Sequence, residues 1–184
     1  NSDFHGTDTI TYIISDGNGG TSTATITVAV ADVNDEPVTS GSIGNQTNLD
    51  SQAINLPVAG AFSDPDGDTL TFTASGLPAG LTIDLATGVI SGTIDHSASQ
   101  TNGGVYSITV TASDGRGGTV TQSFSWTVAN PTPGAVNDSA TTIEDTPVQI
   151  PVLANDVDPD GDPLTVTAAT AGNGTVVILP NGAL

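Results

Sequence analysis

The sequence predicts an all-β protein made of tandem β-sandwich domains joined by short acidic linkers, and three observations carry that reading. Apolar and hydroxyl side chains alternate over short runs, as in Ile108, Val110 and Ala112 against Thr109 and Thr111. Gly, Asn, Asp and Pro punctuate those runs, while Glu occurs twice and Lys and Met are absent, which disfavours helices. Long stretches also recur at about one domain length, so the same unit is written more than once.

Composition narrows the partners. The 184 residues carry a formal charge of −19, with one arginine, Arg116, and no cysteine. No basic surface exists to neutralise phosphates, so nucleic acid and anionic membrane are poor partners and cations are expected instead; no apolar run approaches the roughly 18 residues a membrane helix needs, so no membrane insertion is expected. Leu, Ile, Val and Phe account for 44 of the 184 residues, enough to build a core. Disulfides and lysine-based isopeptide crosslinks are ruled out by composition, so any reinforcement comes from elsewhere. The opening "NSDFHGTD" has neither the basic nor the apolar region of a signal peptide, and the chain reads as a piece of something larger.

Two internal alignments set the domain organisation. "INLPVAGAFSDPDGDTLTF" from Ile54 matches "VQIPVLANDVDPDGDPLTV" from Val148 at an offset of 94, and "ITYIISDGNGG" from Ile10 matches "ITVTASDGRGG" from Ile108 at an offset of 98. The middle copy holds both halves of the repeat, the N-terminal segment only the second half and the C-terminal segment only the first. A complete domain is therefore expected over residues 37–131, with residues 1–36 as the C-terminal half of one domain and 132–184 as the N-terminal half of another. An isolated hairpin is marginal in water, so residues 1–36 are expected to complete the half-domain of a neighbouring copy or repeat. A continuous chain is the favoured route, because sheet edges left open between molecules invite aggregation.

Taken in order, the strands of the pattern are Ala24, Ile26, Val28 and Val30; Leu70 and Phe72 opposite Thr69, Thr71 and Thr73; a hairpin holding Leu81, Ile83, Val89 and Ile90 between "GLPAG" and "DLATG"; the Ile108 run; and Phe124, Trp126 and Val128. About seven half-buried antiparallel strands per domain are expected. Trp126 occupies the repeat position of Val28, an inward aliphatic, and reads as core rather than as a sugar platform.

The acidic residues are not scattered evenly. "DPDGD" sets Asp64, Asp66 and Asp68 two apart, and the same loop recurs at Asp158, Asp160 and Asp162. Held close, like charges repel by about 1 to 3 kcal/mol per pair at surface dielectric, so a bound cation explains the repetition better than an exposed turn does. An EF-hand is excluded, because its glycine and glutamate positions hold Thr69 and Ser75 here, and Pro163 and Ala169 in the second copy. Tandem "GGxGxD" repeats are absent, and His5 and His96 lack ligand spacing for zinc and read as solvated loop residues. Carboxylate and carbonyl oxygens suit Ca²⁺. For the "SDG" aspartates Asp16 and Asp114, an Asx-turn and a ligand role stay open together. Asp3, Asp8, Asp84 and Asp95 read as solvating charge.

The order of these motifs, with the linker "DVNDEP", resembles the cadherin-like repeats of large bacterial surface adhesins. "LPAGLTIDLATGVISGTID" is similar to the dystroglycan-type cadherin-like signature, and "TTIEDTPVQIPVLANDVDPDGD" to the opening of a related bacterial Ig-like repeat. The resemblance implies Ig/cadherin-like sandwiches with Ca²⁺ between successive domains. At the first junction it assigns Asp32, Asn34 and Asp35 together with Asp64, Asp66 and Asp114. At the second it assigns Asp50, Asn137 and Asp138 with Asp158 and Asp160, and Asp16 of a complementing copy; Glu144 would serve a further junction. The first linker ends "NDE" where the pattern has "NDN", the second is reduced to "VND", and Asp68 and Asp162 have no fixed counterpart.

The function expected is a calcium-rigidified structural or adhesion module of a repetitive extracellular, bacterial surface protein, with neighbouring copies or repeats and a cell-surface or glycan ligand as partners. A fibre subunit assembling by strand complementation and a carbohydrate-binding accessory module are the alternatives. An enzyme is not expected, because no "GxSxG" or catalytic triad arrangement is present and the carboxylates lie in turns. Asn45, Asn137 and Asn173 are sequons.

Overall fold

A computed structural model describes residues 4–184; Asp3 lies outside the described residues. The chain begins with an antiparallel hairpin, β1 (Gly6–Ser15) and β2 (Thr21–Val30), in which Ile10 faces Ile26 and Tyr12 faces Ala24. Its turn is held by Asp16, whose Oδ1 accepts the backbone N–H groups of Asn18 and Gly20 at 2.8 and 2.9 Å. Every residue of both strands is exposed.

Beyond the linker lies a two-layer sandwich. One layer is a four-stranded sheet in the order β4 (Gln46–Leu49), β11 (Thr119–Ala129), β10 (Val105–Ser113), β7 (Thr71–Ser75). The other is a three-stranded sheet in the order β5 (Ala53–Pro57), β9 (Val89–Thr93), β8 (Leu81–Ile83). A two-residue pair, β3 (Val38–Thr39) with β6 (Phe62–Ser63), closes one edge. Period-two alternation turns Tyr106, Ile108, Val110 and Ala112 of β10 and Phe124, Trp126 and Val128 of β11 inward, where they meet Phe72, Leu81 and Ile90 in one core. Trp126 is 0 % exposed, and its indole N–H donates to Asn48 Oδ1 at 2.9 Å, so the ring is core with its polar edge satisfied. The Tyr106 hydroxyl likewise donates to the Ala98 carbonyl at 2.7 Å.

Two expectations about the strands are corrected. β4 runs parallel to β11, with Trp126 beside Gln46 and Val128 beside Asn48, whereas all strands were expected to be antiparallel. Alternation within a strand is the same for either direction, so it carries no sign of this. The sandwich also has nine strands rather than about seven, because β3 and β6 are too short to show a period.

Residues 132–184, expected to be the N-terminal half of a further domain, form no regular strand. Ile150 and Leu184 exchange backbone hydrogen bonds of 2.8 and 3.0 Å. Shifted by 94, these are Leu56 and Ile90, which face each other across β5 and β9. The Gly134 and Val157 bridge plays the part of β3 and β6. No helix among the described residues is long and apolar enough to cross a membrane.

Candidate metal centre

The DPDGD loop is built on its first aspartate. Asp64 Oδ1 accepts the N–H groups of Asp66 and Asp68 at 2.9 and 3.1 Å, and Gly67 N–H returns to the Asp64 carbonyl at 3.2 Å with φ at +77°, a conformation that favours glycine. The fold of the loop points all three carboxylates to one side, so that one oxygen from each of Asp64, Asp66 and Asp68 lies within 4.8 Å of the others. Asp64 Oδ2 and Asp68 Oδ2 are buried and have no hydrogen-bond partner.

The linker closes over this cluster. The Asp35 N–H donates to Asp66 Oδ2 at 2.6 Å, and the Asn34 side-chain amide donates to Asp114 Oδ2 at 2.9 Å. Asp114, 7 % exposed, also accepts the N–H groups of Arg116, Gly117 and Gly118 through Oδ1, at 2.7 to 3.1 Å. The Asn34 amide first, and then the backbone N–H of Arg116, hold the Asp114 carboxyl below its ordinary value. Asp114 is thus both an Asx-turn residue and a linker contact. Gly118 lies so close to Glu36 and Pro37 of the linker that a Cβ would collide with both.

A basic residue that sequence reasoning overlooked reaches the same place. Arg116 Nη2 sits 3.0 Å from Asp68 Oδ1 and supplies part of the positive charge the cluster requires. The available signal was its position, since the chain's only arginine replaces Asn18 of the first copy in an otherwise repeated SDG loop.

The second loop repeats the first. Asp158 Oδ1 accepts the N–H groups of Asp160 and Asp162 at 3.1 and 3.2 Å. The Asp160 carboxyl is pushed up, first by its close pairing with the Asp158 carboxyl and then by desolvation, and the same pairing pulls Asp158 down. Both Asp160 carboxylate oxygens are buried without a hydrogen-bond partner among the protein groups. Asp162 meets the middle sandwich, where Gln100 Nε2 donates to it at 3.2 Å and His96 Nδ1 lies at 3.6 Å. Asp50, 4 % exposed, accepts the Ser99 N–H at 2.9 Å through one oxygen and leaves the other unpartnered.

Other expected site residues stand elsewhere. Asp32 lies 3.3 Å from His5, so each histidine, though exposed, sits beside a carboxylate of the expected set. Asp16 is taken up by its own turn, and Asn137, Asp138 and Glu144 are exposed. Asp84 and Asp95 do more than solvate. Asp84 Oδ1 accepts from the N–H groups of Ala86 and Thr87 and from the Thr87 hydroxyl, and Asp95 Oδ1 from the Ser97 N–H and hydroxyl, so both fix turns.

A two-layer sandwich preceded by a linker that docks onto acidic loops defines the class: an Ig/cadherin-like repeat. Residues 36–129 match the family described as "Putative Ig domain", and the chain belongs to that family. Residues 1–29 and 130–184 match a further family, the bacterial Ig domain. A serine-rich adhesin for platelets from Staphylococcus aureus strain MRSA252 is 34 % identical over 137 residues, which is 74 % of this chain and 9 % of the adhesin. The chain spans less than a tenth of the length of such relatives. Among solved structures, the extracellular cadherin domains 1–5 of protocadherin gamma B2 superpose with a TM-score of 0.54 at 18 % identity, over 69 % of this chain and 27 % of that one. Mouse cadherin-23 EC22–24 gives 0.51 at 18 %, over 68 % and 43 %. These likenesses establish the fold.

Proposed function

We propose that the chain is a calcium-rigidified spacer or adhesion module of a bacterial cell-surface protein, without enzymatic activity. The observation that carries this reading is the docking of Asn34 and Asp35 onto Asp114 and Asp66, beside a carboxylate cluster whose buried oxygens lack partners. The donor set is all oxygen, and Asp64, Asp66, Asp68, Asp114 and Asp35 are the residues that would hold the ion at the first junction, with Asp158, Asp160 and Asp162 at the second. Bound there, calcium supplies the charge that lets crowded carboxylates remain ionised and close together. The protein's part is to bring linker and loop to the same place, so that a hinge between successive sandwiches becomes a fixed joint. Similarity to an adhesin supports the surface location and leaves a receptor or glycan as the ligand class.

Extracellular modules bind calcium at about 10⁻⁴ to 10⁻³ M. At a ligand concentration of about 100 times the dissociation constant, one site adds about 2.7 kcal/mol to stability. Calcium titration followed by melting and small-angle X-ray scattering tests the reading: a higher melting temperature and a narrower distribution of interdomain angles are expected, both reversed by chelation. A melting curve and scattering profile indifferent to calcium would refute it.

A further inference from the structure

We propose that the Arg116–Gly117 peptide bond is a conditional cleavage site for proteases of trypsin-like specificity, whose S1 pocket carries a carboxylate, and that the SDG loop of the middle sandwich gates it. Composition singles this bond out. The 184 residues hold one arginine and no lysine, so such a protease finds a single cationic side chain to enter its pocket. That side chain stands at the tip of the turn between β10 and β11, where Gly115, Arg116 and Gly117 are all exposed. Exposed loop tips of small and polar residues are where chains are preferentially nicked.

As folded, the loop is closed to such an enzyme. A protease takes its substrate as an extended segment, whereas Gly115 and Gly117 stand at φ of +73° and +116° and curl the chain away from that shape. Asp114 holds the curl. Its Oδ1 accepts the N–H groups of Arg116 and Gly117 at 2.7 and 3.1 Å, and its own N–H donates to the Gly118 carbonyl at 3.3 Å. Asp68 withholds the side chain, since its Oδ1 lies 3.0 Å from Arg116 Nη2 and competes with the S1 carboxylate for the guanidinium. Opening is nonetheless a local event. Glycine populates both signs of φ, so residues 115–117 can straighten while the inward side chains of β10 and β11 stay in the core. The gate is therefore the pair of aspartates, not the packing of the sandwich.

Cleavage adds one water across the bond. The Arg116 carbonyl becomes a carboxylate and Gly117 gains a free amino group, with water and the protease as the only other participants. The nick falls between strands that stay paired from Val105 with Thr127 to Ser113 with Thr119, and β11 keeps its parallel partner β4. Residues 1–116 and 117–184 are then held together by strand pairing and the core alone, so a covalent connection through the sandwich becomes a non-covalent one. On the reading of the chain as a surface spacer, it would part there under load; the cleavage itself does not depend on that reading.

Limited digestion of the full chain with trypsin in calcium-free buffer tests the gate, with the rate at which fragments 1–116 and 117–184 appear read by denaturing electrophoresis and mass spectrometry. A free peptide of residues 110–122 is expected to be cut at least about tenfold faster than the folded chain, whose loop is mostly closed. Asp68→Asn, which frees the guanidinium and leaves the turn intact, is expected to speed cutting of the folded chain by up to about fivefold, the range of an exposed ion pair. Asp114→Ala, which removes the acceptor of the turn, is expected to speed it by at least about tenfold. Val110→Ala weakens the core away from the loop and is expected to leave the rate within about twofold, because cutting follows the population of the locally open form. After cutting, both fragments should elute together on size exclusion. A folded chain cut as fast as the peptide, or never cut, would overturn the proposal. So would a rate that Asp68→Asn leaves unchanged, or one that rises as much with Val110→Ala as with Asp114→Ala, since cleavage would then require global unfolding.

Discussion

The β1–β2 and β10–β11 hairpins are one motif placed in two surroundings. Both turn on an SDG loop whose aspartate accepts backbone N–H groups from residues two and four further on, and both keep the same pairing, Ile10 with Ile26 and Ile108 with Phe124. Burial separates them. Ile10 and Ile26 are each 49 % exposed, while Ile108 and Phe124 are buried. Turn chemistry and alternation therefore fix the shape and register of the hairpin locally, and its contribution to a core depends on a second layer such as the one packed against β10 and β11.

Truncating matched positions measures that second layer. Trp126→Ala removes a fully buried ring and its hydrogen bond to Asn48, and is expected to destabilise the middle sandwich by about 3 to 5 kcal/mol. Val28→Ala, at the same place in the exposed hairpin, is expected to stay within about 0.5 kcal/mol in dilute protein. Denaturant melts of the two variants check this. A large loss from Val28→Ala in the monomer would mean the first hairpin is already packed against something.

The next contrast isolates the linker. The nearest atoms to a Cβ at Gly20 belong to Asp16 of its own turn, whereas one at Gly118 would meet Asp114 and also Pro37 and Glu36. Gly118→Ala is therefore expected to destabilise by about 1 to 3 kcal/mol and to free the linker, and Gly20→Ala by less. Scattering profiles of both variants with calcium present distinguish loss of docking from strain within the turn.

Acid should act on the turns of the complete domain. Hydrogen bonds from the Thr87 N–H, then from its hydroxyl and the Ala86 N–H, hold the Asp84 carboxyl below the ordinary 3.8. A carboxyl lowered on folding stabilises above its unfolded pKa and loses that contribution as pH falls through 3.8 and then through the lower folded value. Asp84→Asn keeps an acceptor oxygen but cannot titrate. Its melting temperature is expected to fall less steeply than that of the parent chain below about pH 4; parallel curves would show that the Asp84 turn has no part in acid unfolding.

Much of this was legible in the sequence because it is coded locally. The all-β class, the inward Trp126, and the repetition of DPDGD and SDG all follow from alternation and turn residues. Less legible were features that depend on long-range placement. The parallel pairing of β4 with β11 has no periodic signature, and β3 and β6 are too short for one. Of the site, sequence spacing pointed to the acids but not to their company: Gln100 and His96 reach Asp162 from a turn more than sixty residues away, and Asp32 pairs with His5. Asp84 and Asp95 looked like spare charge because an Asx-turn aspartate and a solvated one have the same letter.

Arg116 gives the smallest and most diagnostic contrast, since Asn18 holds its place in the first SDG loop. Its guanidinium lies 3.0 Å from Asp68 and is about half exposed, so the ion pair is worth about 0.2 to 1 kcal/mol. A cation entering the Asp64, Asp66 and Asp68 cluster must share that carboxylate with Arg116 or displace it. Arg116→Asn, which restores the residue of the first copy, is therefore expected to tighten calcium binding at the first junction by up to about fivefold while slightly lowering stability without calcium. Calorimetric titration of both forms measures the difference. Weaker binding in the variant would place the ion away from Asp68 and make Arg116 the permanent counterion of the cluster.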